Sequence, residues 1–129
     1  MTREEIRVET LAEPISHYTD AVRAGNLLFV SGIVAVDAKG ELAGGEDVVA
    51  QARQVFENLR LVLAAAGCGF EDAVKVTIFL TDVDDRVKIN PVRQHVFGEA
   101  RPASTLVEVP RLAVHGAKIE VECVAVIPG

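Results

Sequence analysis

The chain has 129 residues, with 13 Lys and Arg against 19 Asp and Glu, and a formal net charge of −6. This length predicts a single domain, residues 1–129, with one hydrophobic core. Nucleic-acid binding draws its affinity from clustered cations, and no basic run occurs, so a nucleic-acid partner is disfavoured.

Hydrophobic residues make up 50% of the chain and the mean hydropathy is +0.28, yet no uncharged run approaches the roughly 18 apolar residues of a membrane span. We therefore expect a soluble protein with no membrane partner. An apolar excess in so short a chain predicts that another subunit covers part of its surface, and hence a homo-oligomer. The amino terminus, MTREEIRVET, lacks the apolar core of a secretory signal, so we expect a cytoplasmic protein.

The first third of the chain predicts three short strands. Residues 4–10 alternate between apolar and charged side chains, as in a strand with one buried face. A Gly25-Asn26 pair between the β-prone runs 21–24 and 27–30 predicts a hairpin with a two-residue turn. Ser31-Gly32 is interpreted as a break that ends the third strand.

From Asp47 the apolar period becomes that of a helix. Apolar residues recur at spacings of three and four, which predicts an amphipathic helix of about five turns. Asp47 can cap its start and Gly67 its end. The side predicted to face solvent carries Gln51, Arg53, Gln54, Glu57 and Arg60.

A strand and a second helix follow. Residues 74–80 alternate with period two, which predicts a strand. The acidic run 81–85 favours the positive end of a helix and so predicts one over 87–97, closed by Gly98. Pro91 inside this helix predicts either a kink or the true first turn.

The last quarter, residues 101–127, predicts a hairpin of two strands. In the second strand one face is apolar, while the other begins with Glu120 and Glu122 and ends with two valines. Carboxylates two positions apart on a strand lie roughly 6.5–7 Å apart. When partly desolvated, each raises the pKa of the other, which suits a general acid or base. A solvated charged edge explains the same pair.

These elements follow the order β-β-β-α-β-α-β-β, which predicts an α+β sandwich of two layers with both helices on one face of a single sheet. Cys68 and Cys123 lack the spacing of a metal or redox motif, so Cys123 is interpreted as apolar packing and Cys68 as a loop thiol. The three histidines are too widely separated for a zinc or iron site, so no metal is expected: His17, His95 and His115.

Several short strings, in this order, resemble the RidA family of reactive-intermediate deaminases, also called YjgF-type or endoribonuclease L-PSP-like. The resemblance extends from about Tyr18 to Val126. The strings are Ser31-Gly32, Gln51-Ala52-Arg53-Gln54, Val76-Thr77-Ile78-Phe79-Leu80, Asn90, Arg101-Pro102-Ala103-Ser104-Thr105, Val107-Glu108-Val109, Arg111-Leu112 and Lys118-Ile119-Glu120-Val121-Glu122.

The resemblance implies a chorismate-mutase-like fold with a six-stranded mixed sheet, and a homotrimer with three clefts where neighbouring subunits meet. Deaminases of this family hydrolyse small enamines and imines, such as 2-aminoacrylate, to a keto acid and ammonia without metal or cofactor. By position, Glu120 is the catalytic residue that positions or activates water. The residues implied to bind the small-molecule ligand are Tyr18, Ser31, Gly32, Asn90, Ser104, Thr105 and Leu106.

One functional residue of these deaminases has no counterpart here. Their Pro-Ala-Arg, whose arginine holds the substrate carboxylate, is Pro102-Ala103-Ser104 in this chain. A serine offers one neutral hydrogen bond in place of a charge-assisted pair, a loss of about 1.5 to 3 kcal/mol, so we expect an altered substrate preference. Arg101 is a candidate substitute, although a shift of three positions reverses its face. Arg111 is interpreted as structural.

Two functions therefore remain open. The first is a metal-free hydrolase of small imines or enamines that uses Glu120. The second is a non-catalytic trimer that binds a small molecule or a partner protein. Ser104 and Thr105 suit either a neutral polar ligand or an inert surface. Cleavage of RNA follows only from an older family label and conflicts with the acidic balance.

Overall fold

In a computed structural model, which describes residues 2–129, two helices pack on one face of a six-stranded mixed sheet, as predicted. Strand β1 ends at Ile6, earlier than expected, because Arg7 turns inward to bind the loop that follows. The strands are β1 (Arg3–Ile6), β2 (Ala21–Ala24), β3 (Leu27–Ile33), β4 (Ala73–Leu80), β5 (Ala103–Glu108) and β6 (Ile119–Val126), and the helices are α1 (Val48–Ala65) and α2 (Arg86–Phe97).

The strand order is β1-β2-β3-β6-β4-β5. The hairpin expected over residues 101–127 is wrong, because β5 pairs in parallel with β4 whereas β6 lies antiparallel between β3 and β4. Residues 109–118 carry the chain past β4. Strand β6 lies in the centre of the sheet, where its apolar face is fully covered. Strand β5 is mostly exposed and forms an edge.

Helix α1 begins and ends as predicted. Asp47 Oδ1 accepts hydrogen bonds from the backbone N of Val49 at 2.9 Å and of Ala50 at 3.3 Å, and Gly67, with φ of +77°, follows the last turn. The expectation that Gln51 faces solvent is wrong. Its buried amide donates to the carbonyls of Gly45 and Gly116 and accepts from the backbone N of Lys118, so it ties two loops to the helix.

Helix α2 starts at Arg86, directly after a short 3-10 turn over Val83–Asp85, and Gly98 ends it with φ of +59°. Pro91 lies in the interior of this helix and not in its first turn. Neither helix of the described residues has the length and apolar character needed to cross a membrane.

The sheet has a covered inner face and an open outer face. The inner face packs against the helices through fully buried side chains such as Phe56, Leu59 and Ile78. The outer face exposes Leu27, Phe29 and Val107, with Phe29 46% exposed. The predicted break at Ser31-Gly32 is a bulge, since β3 continues to Ile33 and its register with β6 shifts after Val30.

Candidate functional site

Glu120 lies on the outer face of the sheet, against the bulge of β3. Its neighbours Ile119 and Val121 are fully buried, so Glu120 points away from the helices. A Cβ atom on Gly32 would lie 2.9 Å from Cδ of Glu120, and closer still to its Oε2. Only glycine at position 32 therefore leaves the carboxylate in this place.

The carboxylate of Glu120 is partly buried and carries no compensating partner. Burial raises its pKa above the ordinary value, and the charge of nearby Glu122 raises that pKa further, as the strand pattern predicts. Among residues 2–129, neither a cation nor a hydrogen-bond donor lowers this pKa. A carboxylate whose pKa is raised in this way holds a proton more readily than an exposed one, which suits a group that accepts and returns a proton.

Tyr18, Ser31 and Gly32 line one cavity of about 240 Å³ beside the bulge. The side chain of Tyr18 is half exposed, and its Oη accepts a hydrogen bond from the backbone N of Ile15 at 3.4 Å. Gly32 thus lies between this cavity and Glu120, which does not itself line the cavity. Four of the predicted site residues share this part of the molecule.

A clamp formed by Arg7 and Asp20 holds the loop that walls this cavity. Arg7 Nη1 lies 2.6 Å from Asp20 Oδ2, and Nη2 donates to the carbonyls of Leu11 and Ala12. Ser31 supports the clamp, since its Oγ donates to the carbonyl of Thr19 at 2.6 Å. Sequence reasoning missed this pair because its partners lie 13 positions apart, beyond any local period.

Ser104 and Thr105 point to opposite faces of the edge strand β5. Ser104 pairs with the fully buried Val76 and so belongs to the inner face, where its Oγ accepts a hydrogen bond from Arg93 Nη2 at 2.9 Å. Thr105 lies on the outer face, 2.7 Å from Nζ of Lys75. Leu106 is partly buried against the core. The two hydroxyls therefore do not form one polar patch.

A second cavity, of about 360 Å³, lies between α2 and the segment that leads into β5. Arg93 and Asn90 contribute to it from one face of the helix, and Arg101 from the strand side. Sequence reasoning missed Arg93, whose position on a polar helix face carries no signal of its own. Arg111 lies apart, in a groove formed by residues 111–117. The cavity lining is Asn90, Arg93, Gln94, Phe97, Gly98, Ala100, Arg101 and Pro102.

The predicted site residues thus form two groups within one chain. Glu120 lies with the Tyr18 cavity, whereas Asn90 and Ser104 lie at the α2–β5 edge. Strands β6 and β5 are two places apart in the sheet, roughly 10 Å, and Ser104 faces the opposite side from Glu120. A single chain does not bring the two groups together.

Other side chains with reactive chemistry are placed for packing. Cys68 and Cys123 are free and buried, and burial raises the pKa of the Cys123 thiol to about 12. A thiol with that pKa is protonated at neutral pH and a poor nucleophile. Within residues 2–129, no group of three or more His, Cys, Asp or Glu side chains is arranged to hold a metal ion.

Comparison with known proteins gives consistent matches along nearly the whole chain. Residues 9–127 match the sequence model of the family described as endoribonuclease L-PSP. A RutC family protein of Pyrococcus horikoshii is 43% identical over 95% of this chain and 97% of its own. The 2-iminobutanoate/2-iminopropanoate deaminase of Salmonella typhimurium is 39% identical over 94% of this chain and 95% of its own.

Solved structures agree with these matches. The crystal structure of the YjgF gene product from E. coli superposes with a TM-score of 0.88 at 36% identity, covering 97% of this chain and 99% of that one. A structure described as a putative endoribonuclease from Thermotoga maritima gives a TM-score of 0.90, also at 36% identity, with 98% of each chain covered.

Proposed function

The chain belongs to the endoribonuclease L-PSP family, known also as the RidA or YjgF family, and on this premise we propose that it is a metal-free hydrolase of small reactive imines or enamines. Some of its relatives are named as imine deaminases. The observation that carries the proposal is the half-buried Glu120, whose raised pKa is not compensated by a cation within the described part of the chain, residues 2–129.

Glu120 supplies the proton transfers that this hydrolysis needs. As a water molecule attacks the imine carbon, the carboxylate of Glu120 accepts one proton from it. With the imine in its protonated form, this gives a neutral carbinolamine. Glu120 then returns its proton to the carbinolamine nitrogen and the C–N bond breaks, so ammonia leaves. The hydroxyl proton passes back to the carboxylate of Glu120, which leaves the keto acid. An enamine first takes a proton on carbon to become the imine. A carboxyl whose pKa is raised above its ordinary value suits the roles of both acid and base.

We place the reaction at clefts between the protomers of a homotrimer. The outer face of the sheet exposes Leu27, Phe29 and Val107, and Glu120 lies on the same face. A second copy against this face buries apolar area that otherwise contacts water. The same contact removes water from Glu120 and raises its pKa further.

The altered substrate preference expected from Ser104 is also part of the proposal. The Ser104 Oγ accepts a hydrogen bond from Arg93, so its O–H offers a substrate one neutral hydrogen bond and no charge. Among residues 2–129 the hydroxyl of Ser31 is likewise bound within the chain, to the carbonyl of Thr19. In this proposal neither serine replaces the charge of an arginine side chain.

The proposed activity predicts that the purified protein accelerates keto-acid formation when it is added to a threonine dehydratase or amino-acid oxidase reaction. Glu120→Gln keeps the shape of the side chain but cannot accept a proton, so the acceleration is expected to fall about 100-fold or more. Keto acid is followed by absorbance. Glu46→Gln, an exposed carboxylate far from the cavities, is the matched control and is expected to behave as wild type. No acceleration by wild type, or equal acceleration by Glu120→Gln, contradicts the hydrolase proposal.

The second candidate is a non-catalytic trimer that binds a small molecule or a partner protein. It is favoured by Ser104, which leaves β5 without a cation of its own at this position. A keto acid that raises the thermal midpoint of the protein, while wild type accelerates no imine hydrolysis, supports this alternative.

A further inference from the structure

The guanidinium of Arg93 and the cavity beside it have the composition of an anion site. We propose that Arg93, with Asn90 and Arg101, binds the carboxylate of a small ligand and that Ser104 positions the guanidinium. The identification of this ligand as the substrate of the reaction rests on the proposed function. The binding site itself stands on the geometry of α2 and β5.

Arg93 is held in place but is not neutralised. Its Nη2 donates one hydrogen bond to Ser104 Oγ at 2.9 Å, and a guanidinium has five N–H donors. Among residues 2–129, no carboxylate lies within the 4.0 Å of an ion pair with it. Burial, with no compensating acid, lowers the pKa of Arg93, which nevertheless stays charged at neutral pH. A partly desolvated cation without an ion-pair partner gains more binding free energy from an anionic ligand than an exposed or paired cation does.

The walls of the cavity match this charge. The lining contains two arginines and the amides of Asn90 and Gln94, and no Asp or Glu. This is unusual in a chain whose net charge is −6. At about 360 Å³ the cavity is at the small end of ligand sites, which suits a metabolite of a few heavy atoms. A planar guanidinium fork matches the two oxygens of a carboxylate.

The bond between Ser104 and Arg93 explains why the cation comes from helix α2 and not from strand β5. The side chain of Ser104 carries no charge of its own, and its Oγ fixes one end of the Arg93 fork beside the cavity. Arg93 and Asn90 are three positions apart, so both side chains project from the same face of α2 toward that cavity. Ser104 is accordingly a positioning residue, and Arg93 is the group that contacts the ligand.

A ligand that contacts both Arg93 and Glu120 requires two copies of the chain. Within one chain Glu120 is on the outer face, two strands from β5, and Arg93 is on the inner side of that edge. Strand β5 has only β4 as a neighbour, so its free edge is open to a second copy. The complete site therefore consists of Arg93 from one protomer and Glu120 from the next.

Calorimetric titration of the purified oligomer with 2-oxobutanoate tests the inference without turnover. Arg93→Gln is expected to bind it about tenfold or more weakly, because the charge-assisted pair is lost. Arg93→Lys keeps the charge but loses the fork, and an intermediate loss is expected. The matched control is Arg86→Gln, an exposed arginine at the start of the same helix. Far-UV circular dichroism and the thermal midpoint check that each variant is folded.

The outcomes separate this inference from the hydrolase proposal. Unchanged binding by folded Arg93→Gln, an equal loss in Arg86→Gln, or no binding by wild type overturns the carboxylate site. Equal affinity for 2-oxobutanamide, which lacks the charge, overturns it as well, and tighter binding of inorganic phosphate assigns the site to a different anion. Absence of imine hydrolysis with intact Arg93-dependent binding leaves the site standing and removes only its substrate role.

Discussion

At the scale of single residues, the pKa of Glu120 depends on the surroundings of the carboxylate as well as on its own chemistry. Gly32 leaves space for its carboxylate, and Glu122 adds a like charge two positions along the same strand. The burial of the carboxylate and the charge of Glu122 raise the free energy of the ionised form and leave the neutral form nearly untouched. The folded chain therefore holds a proton on Glu120 more tightly than the unfolded chain does.

This difference predicts how stability depends on pH. Because the folded pKa of Glu120 is raised, its stabilising contribution is fully present below the unfolded pKa and is lost as pH rises through the folded pKa. Glu120→Gln, which does not titrate, is therefore expected to be more stable than wild type at pH 7, with a smaller difference at pH 4. Urea denaturation at both pH values measures this.

The matched control for that comparison is again Glu46→Gln. Its carboxylate is exposed on the loop before α1, so its stability difference from wild type is expected to change less between the two pH values. A difference for Glu120→Gln that stays constant or grows toward acid pH contradicts the desolvation argument.

At the scale of elements, β1 pairs with β2, whereas the segment that follows β1 is held by side chains and not by strand pairing. Beyond Ile6, the path of the chain depends on Arg7, which binds Asp20 and the carbonyls of the loop that follows. Asp20 also accepts from the backbone N of Val8 at 2.7 Å. The wall of the Tyr18 cavity thus depends on one partly buried ion pair.

Removal of this ion pair has a predictable cost. Asp20→Asn keeps the shape but loses a charge-assisted bond to Arg7, so the free energy of unfolding is expected to fall by about 1.5 to 3 kcal/mol. The exposed pair between Arg3 and Glu5, 2.8 Å apart, is the control, and Arg3→Met is expected to cost less than about 1 kcal/mol. Urea denaturation of both variants measures the two losses in the free energy of unfolding. Equal losses would show that the Arg7 clamp contributes no more to stability than a surface ion pair.

At the scale of the whole molecule, the arrangement of elements leaves both halves of the proposed site, Glu120 and Arg93, at open surfaces of the chain. The exposed apolar side chains of the outer face and the free edge of β5 are the two surfaces that we propose a second and third copy of the chain contact, head to tail. In the proposed trimer each cleft then takes Glu120 from one protomer and Arg93 from its neighbour.

A mixing experiment tests this division of labour. Arg93→Gln and Glu120→Gln are each expected to be nearly inactive alone at low substrate concentration, but co-refolded chains form mixed trimers in which about a quarter of the clefts contain both intact residues. Keto-acid formation by the mixture is the measurement. Co-refolding Glu120→Gln with a Glu120→Ala chain is the control, since no cleft regains a carboxylate. No recovery in confirmed mixed trimers places both residues in one chain's site and contradicts the shared cleft.

Local pattern was sufficient to define the elements and the faces of this protein. The period of α1 and its Asp47 cap, the Gly25-Asn26 turn, and the alternation that directs Glu120 outward each depend on residues within a few positions of one another. The net charge and the length are likewise read directly from the sequence. These features were read correctly because burial of one face imposes its period directly on the residue types.

Only the tertiary structure decided which elements and side chains meet. The insertion of β6 between β3 and β4, the burial of Gln51 against Gly116, and the bond from Arg93 to Ser104 join residues far apart in the chain. No local period encodes such partners, because strand pairing is selected by the packing of the whole core. The sequence by itself therefore determined the elements and the acid at Glu120, and the fold decided that a helix supplies the cation beside Ser104.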